Sequence, residues 1–517
     1  MAGELKDPEG RAHRLAVSAV SGGILVSRVL GYVRDVVITA VFGVGGVTDA
    51  YLVAFLIPNF FRRLAGEGAL GASFIPIFAE KDKTNRDDAE RFASRAISYV
   101  CVVLTIVCVF AAVGSSVLVS VFAPGLRQTP AVFDLASRLL AVLFPYLLLM
   151  SLYAVISGML NSRGHFGIPA VASALENISV ITAALVLAPR IEGGPEARIW
   201  GLAAGVLVGG VLQVGLVWWT LSRTGFRFRP SLRRSPELVE MLLLMVPAAA
   251  TLVVYQLNNI ISQGIASFLP RGTITVLYLA YRVIEFPSAL FGTAVGTVTL
   301  PKAAQAGNAE EFRAILDRSV RLCLLWMVPS MTAFIFFSEP LIRLMFEYGK
   351  FTADSVSGVS AALRAYALAL PFIGLSRILS SACYAVKSPG VPMRAGAQAV
   401  AANVILSILF VWAFPSPYKA CGIALGMSLA SMVNLALLIR QTARSGILRG
   451  FQLNAFPTPG VLFLACSLVF AIPLYFLTPH VLRLAPGALK LSTAVLVFVS
   501  IGVYFLCVRR LGAGQKK

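Results

Sequence analysis

Apolar runs long enough to cross a bilayer recur from one end of this chain to the other, and no other feature restricts its fold as much. A bilayer core takes about 20 apolar residues per helix. That ruler gives fourteen spans, at 15–43, 48–79, 89–122, 131–161, 168–190, 197–223, 236–267, 272–302, 310–337, 355–386, 392–414, 419–444, 456–478 and 485–510. With 58% of 517 residues hydrophobic and 13% charged, the chain is expected to be an all-α polytopic membrane protein. The polar start MAGELKDPEGRAHR leads directly into a run longer than the apolar core of a cleavable signal, so that run is expected to remain as the first helix.

Loop charge sets the expected orientation. Lys6, Arg11 and Arg14 precede the first span, Lys81, Lys83, Arg86, Arg91 and Arg95 follow the second, and Arg223, Arg227, Arg229, Arg233 and Arg234 follow the sixth. The odd-numbered loops are poorer in Lys and Arg, so the even loops and both termini are expected in the cytoplasm. The same rule and anionic headgroups account for the net charge of +20, and nucleic-acid binding is discounted. The seven cysteines lie in or at the ends of apolar spans without metal-type spacing, and the three histidines are far apart. No nucleophile motif or phosphate-cradling glycine loop is present. No enzyme activity, cofactor, metal or catalytic residue is therefore expected.

The chain repeats itself. FPYLLLMSLYAVISGMLNSRGHFGIP echoes LPFIGLSRILSSACYAVKSPGVP with Pro145 and Pro371 226 residues apart, and ASFIPIFAE echoes GTVTLPKAAQ with Pro76 and Pro301 225 apart. Two echoes at one offset indicate a duplication. The offset covers six spans, so the copies share one orientation, as two pseudo-symmetric six-helix lobes with two added C-terminal helices. The expected divisions are 1–223, a basic linker at 224–236, 237–450, and 451–517 with the last two helices and the tail.

Ionisable residues inside the spans are concentrated in three of them. Helix 1 carries Arg28, Arg34 and Asp35; helix 2 carries Asp49, Asn59, Arg62, Arg63 and Glu67; helix 8 carries Arg282 and Glu285. An arginine at the centre of a spanning helix costs roughly 2.5–3.5 kcal/mol, so these helices are expected to border a common polar space. At about 100° per residue Arg28 and Asp35 share a face while Arg34 points away. Gly31 is therefore expected to bend or unwind helix 1 and bring Arg28 and Arg34 together. Asn59, Arg62, Arg63 and Glu67 stack at spacings of three and four, and Arg282 and Glu285 pair at three. Such pairs can simply tie helices together. Arg28, Arg34, Arg62 and Arg282, however, outnumber the carboxylates placed to neutralise them, and a surplus of guanidinium in a cavity suits phosphate oxygens. Arg63, Glu176, Arg364 and Arg377 are assigned to structure. The segment 391–450 contains no Asp or Glu, which argues against a carboxylate-based coupling-ion site there.

SRVLGYVRD, TDAYLVAFLIPNFFRRLAGEGALGASFIPIFAE, YRVIEFP and EYGKFT closely resemble the MurJ/MviN lipid II flippases of the multidrug/oligosaccharidyl-lipid/polysaccharide exporter superfamily, and the resemblance extends over essentially the whole chain. It implies a monomeric carrier of the bacterial inner membrane that moves undecaprenyl-diphosphate-linked peptidoglycan precursor to the outer leaflet by alternating access. It also implies a cavity between two lobes lined by helices 1, 2, 7 and 8. The family's cavity arginines fall on Arg28, Arg34, Arg62 and Arg282, with Asp35, Asp49, Asn59, Glu67 and Glu285 as polar partners. Leu56 stands where some members carry lysine. The alternatives are an exporter of another polyprenyl-linked saccharide or amphiphile, and a non-transporting scaffold for envelope assembly.

Overall fold

A computed structural model describes residues 8–64 and 70–445, together with residue 468. The regular secondary structure of the described residues is all helical, with no strand among them. Eight helices are long and apolar enough to cross a membrane, or nine if one pair bent by 42° counts as a single span. Of the fourteen expected spans, the last two lie outside the described residues. Contacts divide the chain into two compact units, Met1–Gln256 and Leu257–Lys517.

The first unit begins with α1 (Pro8–Phe42), α2 (Gly46–Phe61), α3 (Gly71–Thr84) and α4 (Arg86–Val113). It continues through α5 (Ser115–Phe122), α6 (Pro130–Leu143), α7 (Tyr146–Ser162), α8 (Gly167–Thr182), α9 (Pro195–Arg198) and α10 (Trp200–Arg223) into α11 (Pro236–Ala266), which crosses the boundary between units. Asn85 starts α4 by accepting hydrogen bonds from the N–H groups of Asp87 (3.0 Å) and Asp88 (3.5 Å). Helices α8 and α10 approach closely because α10 offers glycine where they meet. A Cβ on Gly209 would lie 2.7 Å from Glu176 Cα, and one on Gly205 would lie 2.6 Å from Ala183 Cβ. Small residues at four-residue spacing let two backbones approach in this way.

The 224–235 loop, expected as the linker between lobes, runs along α4 of the first unit. The backbone N–H groups of Arg227, Arg229 and Ser231 donate to Glu90 (3.4 Å), Ser94 Oγ (3.1 Å) and Ser98 Oγ (3.2 Å). Every second residue of an extended chain advances about 6.8 Å and every fourth residue of a helix about 6 Å, so the two repeats stay in step over this length. Tyr99 closes the run by donating to the Leu232 carbonyl at 2.8 Å. Leu238 and Met241, at the start of α11, are buried in the same core as Phe74, Phe78 and Phe92. Lys81 pairs with Glu237 at 2.9 Å. The loop and the first turns of α11 thus pack with the first unit.

The second unit contains α12 (Thr273–Pro287), α13 (Ala294–Gln305), α14 (Ala309–Phe346), α15 (Ala353–Ala367), α16 (Leu370–Ala385), α17 (Gly390–Ala413) and α18 (Lys419–Arg444). Asn308 caps α14, accepting from Glu311 N–H at 2.8 Å while the Glu311 carboxylate accepts from Gly307 N–H at 2.9 Å. A π-helical turn, Ser288–Thr293, interrupts the span between α12 and α13. Another π turn begins at Arg62 in the first unit, about 225 residues earlier. A nearly equal offset separates two similar helix ends. After α7, His165 N–H reaches the Leu160 carbonyl (2.8 Å), and after α16, Ser388 N–H reaches the Cys383 carbonyl (2.9 Å), each through a left-handed residue.

In the first copy the left-handed residue is Gly164 (φ 81°), and in the second it is Lys387 (φ 56°). A side chain in that conformation costs roughly 1–2 kcal/mol. Lys387→Gly is expected to raise the melting temperature of the purified protein by a few degrees, measured in detergent beside the unchanged protein. A lower value would show that the lysine side chain contributes more than the backbone strain removes.

Candidate functional site

Helix α1 is unbroken from Pro8 to Phe42, and this overturns the expected local unwinding at Gly31. The chain keeps its helical hydrogen bonds past Gly31 because Arg34 finds partners without any distortion. Its Nε and Nη2 donate to Asp35 Oδ1 at 3.1 and 3.0 Å, and its Nη1 lies 3.7 Å from Glu176 Oε1 on α8. Tyr146, at the start of α7, donates to the other Glu176 oxygen at 2.8 Å. The guanidinium also sits 5.8 Å from the centre of the Phe55 ring on α2. Arg34 and Asp35 are 8% and 3% exposed, so this cluster is interior to the first unit. In this cluster the Arg34 guanidinium faces two carboxylates, Asp35 and Glu176. Glu176, assigned to structure on sequence grounds, is part of the same cluster.

Arg28 is exposed, two turns earlier on α1, where Ser27 and Asn177 join α1 to α8 through a 3.2 Å hydrogen bond from the Asn177 amide to the Ser27 carbonyl. Asp49 is buried in the first turn of α2, where a carboxylate suits the N-terminal dipole. At the other end of α2, Asn59 donates to the Phe55 carbonyl at 2.9 Å and accepts from Arg62 Nε at 2.9 Å. Pro58 lacks an N–H and removes one helical bond there, and the chain passes into the π turn at Arg62. Tyr146 lies within electrostatic reach of Arg34, Arg62 and Glu176, so two of the three expected arginine positions of the first unit act on one buried hydroxyl. Arg63 is exposed and reaches Gln256 at 3.5 Å. Glu67 lies outside the described residues.

In the second unit Arg282 Nη1 donates to Glu285 Oε2 at 3.0 Å, with side chains 32% and 41% exposed. Arg364 donates to Ser338 Oγ at 2.6 Å. A neutral polar cluster joins α11 and α17. The Asn403 amide donates to Asn258 Oδ1 (2.6 Å) and Ser262 Oγ (3.1 Å), and Ser407 donates to Asn403 Oδ1 (3.1 Å). Among the described residues no three His, Cys, Asp or Glu side chains are grouped to hold a metal ion.

The profile of the family described as "Lipid II flippase MurJ" matches residues 38–495. The chain belongs to the MurJ family of lipid II flippases. The "Probable lipid II flippase MurJ" of Rhizobium tropici is 34% identical over 95% of this chain and 93% of its own length. The "Lipid II flippase MurJ" of Burkholderia cenocepacia is 35% identical over 88% of this chain and 87% of its own. A solved structure, "Lipid II flippase MurJ, inward closed conformation", superposes with a TM-score of 0.78 at 25% identity, covering 95% of this chain and 99% of the other. An inward-facing multidrug resistance MATE transporter shares the fold at 14% identity, with a TM-score of 0.66 over 84% of this chain and 99% of the other.

Within this MurJ family member, the helix-local pairs Asn59–Arg62 and Arg282–Glu285 are the ones the sequence spacing anticipates. The Arg34–Glu176–Tyr146 contact is not, since its partners come from α1, α8 and α7. The available signal was the glycine series at 201, 205 and 209, which marks where another helix must approach.

Proposed function

We propose that the protein carries lipid II, the undecaprenyl-diphosphate-linked peptidoglycan precursor, from the cytoplasmic to the outer leaflet of the bacterial inner membrane by alternating access. Membership of the MurJ family carries this reading. A diphosphate-sugar-peptide headgroup cannot cross hydrocarbon unaided, whereas its polyprenyl tail can remain in lipid. Guanidinium stays charged when desolvated and offers a planar fork to phosphate oxygens. Arg28, Arg62 and Arg282 take the diphosphate, with Asn59 and Glu285 orienting two of them. Arg34 acts from behind, holding α1 against α2 and α8 through Asp35, Glu176 and Phe55. Asp49 and Glu67 complete the polar lining. The protein works as a monomer with both termini in the cytoplasm.

Purified protein in vesicles is expected to speed the exchange of fluorescent lipid II between leaflets, read by accessibility to a membrane-impermeant reductant. Exchange no faster than in protein-free vesicles would remove the flippase reading and favour an assembly scaffold. Faster exchange of another polyprenyl-diphosphate saccharide, with lipid II unmoved, would favour a different cargo.

A further inference from the structure

At the ends of α3, α7 and α10, inside the first unit, Asp82, Arg86, Arg163, His165, Arg223 and Thr224 line a cavity of about 630 Å³, together with Thr220. None of them belongs to the site described above. Arg163 donates to Asp82 through Nε (3.2 Å) and Nη2 (2.8 Å), and to Thr224 Oγ1 through Nη1 (3.4 Å). Arg86 donates to Glu90 Oε1 at 3.3 Å and to the Thr224 carbonyl. Two arginines are thus matched by two carboxylates. The similar helix end after α16 closes through the same kind of hydrogen bond with Val386 and Ser388 where this one has Arg163 and His165, so the turn itself does not require them.

Arg223 is the cation left over. It is exposed, and among the described residues its guanidinium makes no hydrogen bond or ion pair, lying instead 4.1 Å from the centre of the Trp219 ring. Trp219 is 51% exposed, one turn before the end of the apolar span Pro195–Arg223. A tryptophan at a span end marks the level of the lipid headgroups, and a basic pocket between spanning helices at that level suits an anionic headgroup. The hydroxyls narrow the chemistry. Thr220 and Thr224 already donate to the Leu216 and Leu221 carbonyls, at 2.9 and 2.7 Å, so toward a ligand they only accept. His165 Nδ1 donates to the Arg163 carbonyl at 3.1 Å, which leaves Nε2 of the neutral ring as another acceptor. One spare guanidinium beside these acceptors fits a phosphate diester that carries hydroxyl donors. A choline headgroup has no donor to offer them, and an ethanolamine headgroup cancels its own phosphate charge and leaves Arg223 unmatched.

We propose that this cavity binds the phosphoglycerol headgroup of an anionic membrane lipid, with Arg223 taking the phosphate and Thr220, Thr224 and His165 accepting from the glycerol hydroxyls. The site is independent of the lipid II reading. Its rival is a diffuse attraction of anionic lipid to all the basic residues of the neighbouring loops.

Native mass spectrometry of the purified full chain, titrated in detergent with phosphatidylglycerol, phosphatidylethanolamine or phosphatidylcholine, separates the two. Arg227→Gln, on the exposed loop outside the cavity, removes the same charge and is the control. The unchanged protein is expected to retain phosphatidylglycerol in preference to the other two lipids. Arg223→Gln should weaken that binding about tenfold at an unchanged melting temperature, while Arg227→Gln leaves it as it was. Thr220→Val should narrow the preference for phosphatidylglycerol over phosphatidylethanolamine, an effect that loss of charge does not produce, and it decides the matter if Arg223→Gln lowers the melting temperature. Equal losses in Arg223→Gln and Arg227→Gln, or no preference among the lipids in the unchanged protein, would overturn the proposal. So would an unaltered preference in Thr220→Val. Inorganic phosphate and sn-glycerol 3-phosphate form the soluble arm: if either raises the melting temperature through Arg223 while phosphatidylglycerol is not retained, the cavity serves a soluble phosphate and the lipid assignment is lost.

Discussion

Alanine at Arg28, Arg62 or Arg282 is expected to lower lipid II translocation by roughly two orders of magnitude or more while the protein still accumulates in the membrane. Each of the three is at least partly exposed, so removing its charge leaves no carboxylate sealed in the interior. Taking a guanidinium out of a spanning helix also eases insertion. Lysine should rescue poorly, because a point charge does not reproduce the planar fork. Arg34→Ala is expected to behave differently. It leaves Asp35 and Glu176 without the guanidinium that joins them inside the first unit. Breaking a buried pair in this way costs about 3–5 kcal/mol, so membrane level and melting temperature should fall along with transport. Adding Glu176→Gln should restore part of the stability without restoring transport. The measurements are complementation of a depletion strain, membrane abundance by immunoblot and thermal unfolding in detergent. Complementation by well-accumulated Arg28, Arg62 and Arg282 variants would refute the anion site. Failure of those three to accumulate would make their charges structural.

Collapsing the membrane potential is expected to stop translocation, whereas removing sodium is not. Coupled ion sites in exporters generally use intramembrane carboxylates, and residues 391–450 contain none. The polar contact that joins α11 to α17 is built from Asn258, Ser262, Asn403 and Ser407, whose amides and hydroxyls satisfy one another. A potential is worth about 2.3 kcal/mol per elementary charge per 100 mV. An anionic diphosphate leaving a negative interior therefore travels downhill. The vacated arginines are then drawn back toward the cytoplasmic opening by the same field. Valinomycin with balanced potassium at clamped pH should abolish lipid II exchange in proteoliposomes, and replacing sodium by choline should leave it unchanged. A strict sodium requirement would reverse this conclusion and make the oxygens of the Asn403 cluster the place to search for the ion.

Much of this protein can be read before any tertiary structure is known. The apolar runs determine helices, because in a bilayer core a helix satisfies its own backbone hydrogen bonds. The proline echoes lie 225 and 226 residues apart, and a π turn and a left-handed helix end recur at nearly the same offset. Pairs confined to one helix, Asn59 with Arg62 and Arg282 with Glu285, follow from the 3.6-residue period alone.

Only the tertiary structure decided how Arg34 is neutralised, where the 224–235 loop lies and whether α1 unwinds at Gly31. Glu176 and Tyr146 reach Arg34 because α8 packs against both α1 and the glycine face of α10, and no periodicity within one segment encodes which faces meet. The loop follows α4 because its extended backbone matches the spacing of Glu90, Ser94 and Ser98 on a helix more than 120 residues earlier. Gly31 gives α1 the freedom to unwind, but an allowance is not a force. With Asp35 and Glu176 already in reach of Arg34, breaking the helix would cost backbone hydrogen bonds and return nothing, so α1 stays intact.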